Sequence, residues 1–362
     1  MTFPETMHPR TLLIMAGGTG GHIFPALAVA KALQGRGWRV VWLGNPEGME
    51  ARLIPQQGIE MVWVRFAALR GKGWLRKLLL PINLLKAFAQ ARQAIKAVRP
   101  DAVLGMGGYI TFPGGVMARL AGVPLVIHEQ NAVAGLANRV LARIASKSLS
   151  GFPNVLPKVD WVGNPVRAEI AALPLPAERF LPSVGDEKPL RLLVIGGSLG
   201  AQVLNEQVPL GAARLPAALR PEIWHQAGEK QIAQLQDNYA KAGVTARCEA
   251  FITDMAAAYA WADLVICRAG ALTVAELSAA GVASVLVPFP YAVDDHQTAN
   301  AQFLAQAGAA ICLPQQALTP EKISELLQTP RTHWQAMAVK ARTLGKPEAT
   351  QNVADEIEAV TA

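Results

Sequence analysis

An apolar run that feeds a glycine-rich turn and then a helical pattern occurs twice in this chain, about 180 residues apart. The first copy is Leu12-Leu13-Ile14-Met15-Ala16-Gly17-Gly18-Thr19-Gly20-Gly21, the second Leu192-Leu193-Val194-Ile195-Gly196-Gly197-Ser198-Leu199-Gly200-Ala201. Strand, tight turn and helix in that order open a doubly wound α/β domain, so the repeat predicts two Rossmann-like domains in tandem. Runs rich in Val, Ile and Leu extend the pattern. Strands are predicted at Leu12–Ala16, Arg39–Leu43, Glu60–Val64, Ala102–Leu104, Leu125–His128 and Lys147–Leu149, then at Leu192–Ile195, Glu222–His225, Arg247–Ala250, Leu264–Cys267, Ala283–Val287 and Ala310–Leu313. Amphipathic stretches such as His22–Gln34 and Ala87–Val98 lie between them. Such alternation makes parallel sheets covered on both faces. Pro165, Pro174, Pro176, Pro182 and Pro189 punctuate a weakly periodic segment, read as a linker over 165–189 between domains at 1–164 and 190–346. Ligands of open α/β sheets bind at the carboxyl ends of the strands, so two facing domains would place both glycine turns on the walls of a cleft.

Charge is unevenly spread. The net charge is +7, but residues 1–165 hold 19 Lys and Arg against 7 acids (+12), leaving 15 against 20 (−5) in residues 166–362. Between Glu60 and Asp101 stand nine basic residues and no acid, interleaved with Trp74, Leu75, Leu78, Leu79, Leu80, Ile82, Leu84, Leu85 and Phe88. So many leucines make a poor base-reading surface; a cationic, Leu- and Trp-bearing patch at Arg70, Lys72, Trp74, Leu75, Arg76, Lys77 and Leu79 suits an anionic lipid surface rather than nucleic acid. Part of the leucine set is also what the core face of an ordinary helix requires. With 51% apolar and 17% charged residues the chain is not disordered. The uncharged stretch Thr11–Ala30 carries four glycines and Pro25, unlike a signal peptide or a membrane span, and the expectation is a cytosolic protein without a transmembrane anchor. Cys248, Cys267 and Cys312 follow no ligand or disulfide spacing, and Asp294-Asp295 has no clustered partner, so no metal is expected.

The glycine turns can present backbone N–H groups to an anion, helped by the helix start that follows. Gly17–Gly21 lacks the Gly-Lys-Ser/Thr end of a nucleotide-hydrolysing loop, and Leu43-Gly44-Asn45 supplies no acid to hold an NAD ribose. The same turn has an ordinary structural reading, but His22, directly after the glycines at a helix start, adds a candidate general base. In Leu264–Glu276 a strand ends in Arg268-Ala269-Gly270, and the helix start at Ala271–Thr273 offers N–H groups to a diphosphate. Glu276, one turn on, is placed either for a ribose diol or merely for the helix dipole. His128-Glu129-Gln130-Asn131 sets four polar residues at the end of a buried-looking strand, which marks a site or a solvated loop. Gln297 and Asn300, at i and i+3 on a predicted helix, carry amides suited to sugar hydroxyls.

Taken in order, Gly17-Gly18-Thr19-Gly20-Gly21-His22, Gly105-Met106-Gly107-Gly108-Tyr109, His128-Glu129-Gln130-Asn131, Gly163-Asn164-Pro165-Val166-Arg167, Gly196-Gly197-Ser198 and Arg268-Ala269-Gly270-Ala271-Leu272-Thr273 resemble the MurG family of bacterial N-acetylglucosaminyltransferases over essentially the whole chain. The resemblance implies a GT-B fold whose last helix, about 347–362, returns to the first domain. It implies inverting transfer of N-acetylglucosamine from UDP to the 4-hydroxyl of the muramoyl-pentapeptide of undecaprenyl-diphosphate-linked lipid I, giving lipid II for peptidoglycan. No cofactor is implied. The setting would be the cytoplasmic face of the inner membrane, with proteins of cell-wall synthesis as possible partners. In the donor domain Phe251 would cover the uracil, Ile252 would touch it through its backbone, and Glu276 would take the ribose hydroxyls. Ala271, Leu272, Thr273, Ser198 and Arg167 would hold the diphosphate, with Val274 and Ala275 beside them, and Gln297 and Asn300 would read the sugar. In the acceptor domain Thr19, Gly20 and Gly21 would lie near the lipid diphosphate, His22 would be the base, Glu129 and Asn131 its helpers, and Tyr109 would line the acceptor side. The chain departs from the family at Leu199, where the family usually carries Gln. A UDP-N-acetylglucosamine 2-epimerase shares the two-domain architecture and is the alternative enzyme. A membrane-associated scaffold that only binds nucleotide sugar is the non-catalytic alternative.

Overall fold

The computed structural model describes residues 9–66, 80–179, 189–197 and 200–362, which divide into two compact units. One runs to Val166 and takes in Glu348–Ala362; the other spans Arg167–Pro347.

In the first unit β1 (Thr11–Ala16), β2 (Arg39–Gly44), β3 (Glu60–Trp63), β4 (Ala102–Gly107), β5 (Leu125–Glu129), β6 (Lys147–Ser150) and β7 (Asp160–Trp161) form one parallel sheet, ordered β3-β2-β1-β4-β5-β6-β7. Every residue of β1 and β4 is buried, as expected of strands covered on both faces. Leu12, Ile14, Trp42 and Leu104 point to one face, while Leu13, Met15, Val41 and Val103 point to the other. The terminal helix Ala349–Ala359 inserts Val353, Ala354 and Ile357 into the first of these cores. Arg36 secures it through ion pairs to Asp355 and Glu358, each 2.7 Å, and the Trp38 indole N–H donates to Glu358 at 3.1 Å.

The second unit repeats the plan with β8 (Arg191–Ile195), β9 (Glu222–Gln226), β10 (Arg247–Glu249), β11 (Leu264–Cys267), β12 (Ala283–Leu286) and β13 (Ile311–Cys312), ordered β10-β9-β8-β11-β12-β13. Residues 167–179, read from the sequence as linker, form the helices Ala168–Ala171 and Pro176–Arg179 inside this unit. Pro174 follows the first of these helices and Pro176 opens the second, so neither marks a continuous extended chain. Arg179 donates to the carbonyl of Tyr259 on the helix Met255–Trp261 and to that of Gly281, the C-cap of the helix Ala271–Ala280.

The internal repeat extends to a detail the motifs do not show. Asp101, just before β4, exchanges bonds with the first residue of β1: its N–H donates to the Thr11 carbonyl at 2.8 Å and its carboxylate accepts from the Thr11 N–H at 2.7 Å. Asp263, just before β11, does the same with Arg191 at the start of β8, at 2.9 Å each way. Each Asp thereby locks together the two central strands of its sheet. Between those strands the topology reverses direction, the position at which open α/β sheets bind their ligands. Both glycine turns follow the first of these strands, at Gly17 and Gly196; Gly108–Tyr109 and Arg268–Gly270 follow the second.

Candidate active site

In the first unit three polypeptide turns converge after β1, β4 and β5. The helix Gly20–Gly35 starts at the N-cap Thr19, whose side chain makes no capping bond. Gly18 donates its N–H to Glu50 at 3.2 Å, and Asn45 donates its own to the same carboxylate at 3.0 Å. Glu50 is fully buried, and a Cβ on Gly17, Gly44 or Gly48 would come within 2.6, 2.9 and 2.3 Å of its side chain. Three glycines thus make room for a buried carboxylate that braces the turn from behind. The Gly18 N–H is engaged there, so the part of the loop that could meet an anion is the helix start at Thr19, Gly20 and Gly21. Neither Glu50 nor Asn45 stands out in sequence, because a lone acid in a short helix carries no pattern.

His22 sits on the first turn of that helix, half-buried, with its Nδ1 2.8 Å from Gln130 Oε1. Its ring lies against the backbone of Gly107, where a Cβ would stand 2.8 Å from His22 Cε1 and Nδ1. Gly107 has φ +105°, and Gly108, at φ +89°, approaches Gly17 so closely that a Cβ would meet its carbonyl at 2.6 Å. Only glycine satisfies both demands. Gln130 Nε2 in turn lies 3.0 Å from His128 Nδ1 and 3.0 Å from the His128 carbonyl, and His128 Nε2 lies 2.9 Å from the Gly163 carbonyl. Burial pushes the His128 imidazole down to about 4.

The other polar residues of this loop take different places. Glu129 is buried, and its carboxylate accepts from the N–H groups of Asn131 (3.0 Å) and Gly135 (3.1 Å) and from Asn138 Nδ2 (2.9 Å). It therefore shapes the loop from within, while Asn131 stands half-exposed above it. Tyr109, half-buried, accepts from Asn45 Nδ2 at 3.0 Å and packs its ring on Phe66.

In the second unit the helix Ala271–Ala280 begins after Gly270, which has no side chain with which to cap the N–H groups of Ala271, Leu272 and Thr273. Val274 begins the helical ladder by donating to Gly270, and Ala275 follows it. Glu276, also on this helix, is buried; its Oε1 accepts from Arg167 Nη2 at 2.9 Å and Nε at 3.2 Å, and its Oε2 from the Tyr259 hydroxyl at 3.1 Å. Burial raises the Glu276 carboxyl above the ordinary carboxylate range, with Arg167 and Tyr259 pulling the other way. Arg167 and Glu276, 109 residues apart and assigned separate tasks from the sequence, are one ion pair here.

Phe251 is 51% exposed, whereas Ile252 is buried and donates its N–H to Gln226 Oε1 at 3.1 Å. The same Gln226 amide donates from Nε2 to the Gly197 carbonyl at 3.0 Å, tying the second glycine turn to the Phe251–Ile252 segment. Sequence reasoning passed over Gln226; its only signal is a polar residue closing an apolar strand. Gln297 accepts the Phe289 N–H at 2.9 Å, and Asn300 is fully buried and donates to the Ala269 carbonyl at 3.2 Å. The two amides therefore brace loops at the site's edge. Arg268 reaches the Val287 and Pro288 carbonyls, at 3.2 Å each, and Gln315 at 2.6 Å, holding the loop after β12.

Ser198 and the whole patch Arg70, Lys72, Trp74, Leu75, Arg76, Lys77 and Leu79 lie outside the described residues. On the helix Leu80–Val98, Ile82, Leu85 and Lys86 are exposed, whereas Ala87, Ala91 and Ile95 enter the core and Leu84 packs against it. No group of three or more metal-ligating side chains occurs among the described residues, and no helix there is long and apolar enough to cross a membrane.

Comparison with known proteins follows the two units. The glycosyltransferase family 28 N-terminal domain matches residues 12–150 and the family 28 C-terminal domain residues 191–357. A protein of Dechloromonas aromatica (strain RCB), named UDP-N-acetylglucosamine--N-acetylmuramyl-(pentapeptide) pyrophosphoryl-undecaprenol N-acetylglucosamine transferase, is 66% identical over 345 residues, 95% of this chain and 97% of the relative. One of the same name from Aromatoleum aromaticum is 62% identical over 354 residues, 98% of each chain. The crystal structure of Acinetobacter baumannii MurG superposes with a TM-score of 0.86 at 46% identity, covering 97% of this chain and 100% of that one. The calicheamicin glycosyltransferase CalG4, at 18% identity and a TM-score of 0.65, shares the fold.

Proposed function

The chain belongs to glycosyltransferase family 28, within its MurG group, and on that premise we propose that it transfers N-acetylglucosamine from UDP to the 4-hydroxyl of lipid I, forming lipid II with inversion. The observation that carries this reading is the match to relatives of that name over 95% of the chain at 66% identity. An epimerase or a binding scaffold would need no acceptor side, and the described residues around His22 are an elaborate construction for a unit that only binds.

Inversion takes a single displacement. The acceptor oxygen forms its bond to the anomeric carbon as the bond to UDP breaks on the opposite face, and the departing diphosphate keeps the electron pair. The hydroxyl proton passes to His22 as general base. Thr19, Gly20 and Gly21 present a helix start to the lipid diphosphate, Tyr109 borders the acceptor, and Glu129 holds Asn131 at the reacting groups. On the donor side Glu276 accepts the ribose hydroxyls, and Phe251 and Ile252 receive the uracil. The uncapped helix start at Ala271–Thr273, with Ser198 and Arg167, stabilises the negative charge on the departing UDP. Gln297 and Asn300 shape the loops around the sugar. Fixed dipoles of this kind act without reorganising during the reaction, which is why they lower its barrier.

Lipid I is membrane-anchored, and the nine basic residues between Glu60 and Asp101 in the sequence support association with anionic lipid at the cytoplasmic face of the inner membrane. Exposed Ile82 and Leu85 beside Lys86 support that reading. The test of the reaction is incubation with labelled UDP-N-acetylglucosamine, with and without a lipid I analogue. Transfer only in the presence of the analogue is expected. Epimerisation, or binding without turnover, would overturn the proposal.

A further inference from the structure

We infer that Gln130 and His128 form a relay that fixes His22 as the Nδ1–H tautomer, leaving Nε2 with the lone pair that takes the acceptor's proton. The inference rests on His22 being the base, and makes Gln130 and His128 positioning residues for it.

The argument starts at the buried end. The Gly163 carbonyl can only accept, so the proton on the His128 ring sits on Nε2, 2.9 Å away. His128 is fully buried, and its lowered pKa keeps it neutral at ordinary pH, so Nδ1 carries a lone pair and needs a donor. Gln130 Nε2, at 3.0 Å, is that donor. The same nitrogen also lies 3.0 Å from the His128 carbonyl. Reversing the amide would set its oxygen against two acceptors at once, so its orientation is determined by the network. The backbone helps: the Gln130 carbonyl accepts from Asn164 Nδ2 at 2.9 Å, next to the Gly163 that anchors His128. Gln130 itself is 2% exposed.

With the amide so oriented, Oε1 faces His22 Nδ1 at 2.8 Å. An amide oxygen can only accept, so the neutral His22 ring must place its single proton on Nδ1. Nε2 is then the acceptor, and it makes no hydrogen bond among the described residues. A carboxylate orienting a catalytic imidazole does comparable work elsewhere, and there the wrong tautomer costs on the order of 10⁴-fold in rate. Here a neutral amide does it. Gln130 can orient the ring without adding a negative charge where the lipid diphosphate must approach, and its own direction is set by a second, buried histidine.

The experiment is a long-range ¹H–¹⁵N imidazole correlation on the uniformly labelled full chain at about pH 8.5, above the ordinary imidazole range. The chain has six histidines, and the signal lost in His22→Ala assigns His22. The expected spectrum shows His22 protonated at Nδ1. Finding it protonated at Nε2 overturns the relay. In Gln130→Met, of similar length but with only a weakly accepting sulfur, the proton should move to Nε2, kcat should fall by at least about 10-fold, and KM for UDP-N-acetylglucosamine should stay within about twofold. An unchanged tautomer in that variant also overturns the relay. A moved tautomer with full turnover leaves the relay standing and removes His22 as the base. Should Gln130→Met fail to fold, Gln130→Glu, which keeps an accepting oxygen, should retain the Nδ1–H form, and loss of that form refutes the assignment.

Discussion

Replacing Gly107 by Ala tests whether the position of the His22 ring, rather than the integrity of the fold, governs turnover. Two effects follow from the structure. The backbone at φ +105° lies beyond the left-handed helical region, and an L-residue adopts it at a cost of about 1–3 kcal/mol. The new methyl would also stand 2.8 Å from His22 Cε1 and Nδ1, whereas carbon atoms settle at about 3.5–4.0 Å, so the ring must retreat by roughly 0.7 Å or more. That movement stretches the 2.8 Å contact to Gln130 and takes Nε2 out of line with the acceptor. Misplacement of this size costs on the order of 10²-fold in rate. Gly58→Ala is the control for a positive φ alone: its φ of +71° and ψ of 19° lie in the milder left-handed helical region, and no atom lies within 4 Å of the added methyl. Gly58→Ala should lose about 1–2 kcal/mol in urea unfolding, and Gly107→Ala at least as much. Only Gly107→Ala should lose kcat in the transfer assay with a lipid I analogue. If the two variants turn over equally fast, the account of how His22 is held is wrong.

Three further predictions follow from other parts of the molecule. Asp263→Ala removes a fully buried carboxylate that accepts from the Arg191 backbone and from two guanidinium groups, Arg191 at 3.0 Å and Arg331 at 2.8 Å. It should cost about 3 kcal/mol, against about 1 kcal/mol for the exposed counterpart Asp101→Ala; equal costs in chemical denaturation would contradict the strand-locking role. Acidification should destabilise both units, because burial depresses His128 to about 4 and His225 to about 3 from an ordinary 6.5. Below 6.5 the unfolded chain takes up protons that the native one refuses, so stability falls by about 1.4 kcal/mol per pH unit for each histidine down to those values. His225→Leu should roughly halve that slope above about pH 4, and an unaltered slope would remove His225 from the explanation. Tyr259→Phe withdraws the hydroxyl 3.1 Å from Glu276 and should raise KM for UDP-N-acetylglucosamine about 3–10-fold with kcat unchanged; a fall in kcat alone would speak against Glu276 as a ground-state contact.

Much of the fold was legible because it is periodic. All twelve strands expected from apolar runs are present, and both glycine turns fall where the topology reverses, as the internal repeat requires. β7 was missed because Asp160–Trp161 is a two-residue edge strand with no apolar run. At the sites, residue types were legible but their partners were not. The sequence marks His128–Asn131 as a polar cluster, yet what His128 does depends on Gly163, 35 residues on, and on an amide whose orientation only the folded network determines. Arg167 and Glu276 look like independent ligands until folding brings them to 2.9 Å. Glu50 and Gln226 carry no local pattern at all, since a single buried polar residue is recognisable only from what surrounds it.

The most direct measurement of the central claim is single-turnover transfer to a lipid I analogue by His22→Ala, with UDP binding measured on the same preparation. The account predicts transfer slowed on the order of 10²-fold or more with UDP affinity unchanged, because the base acts on the acceptor and the donor is held by other residues. Transfer at the unsubstituted rate would contradict it.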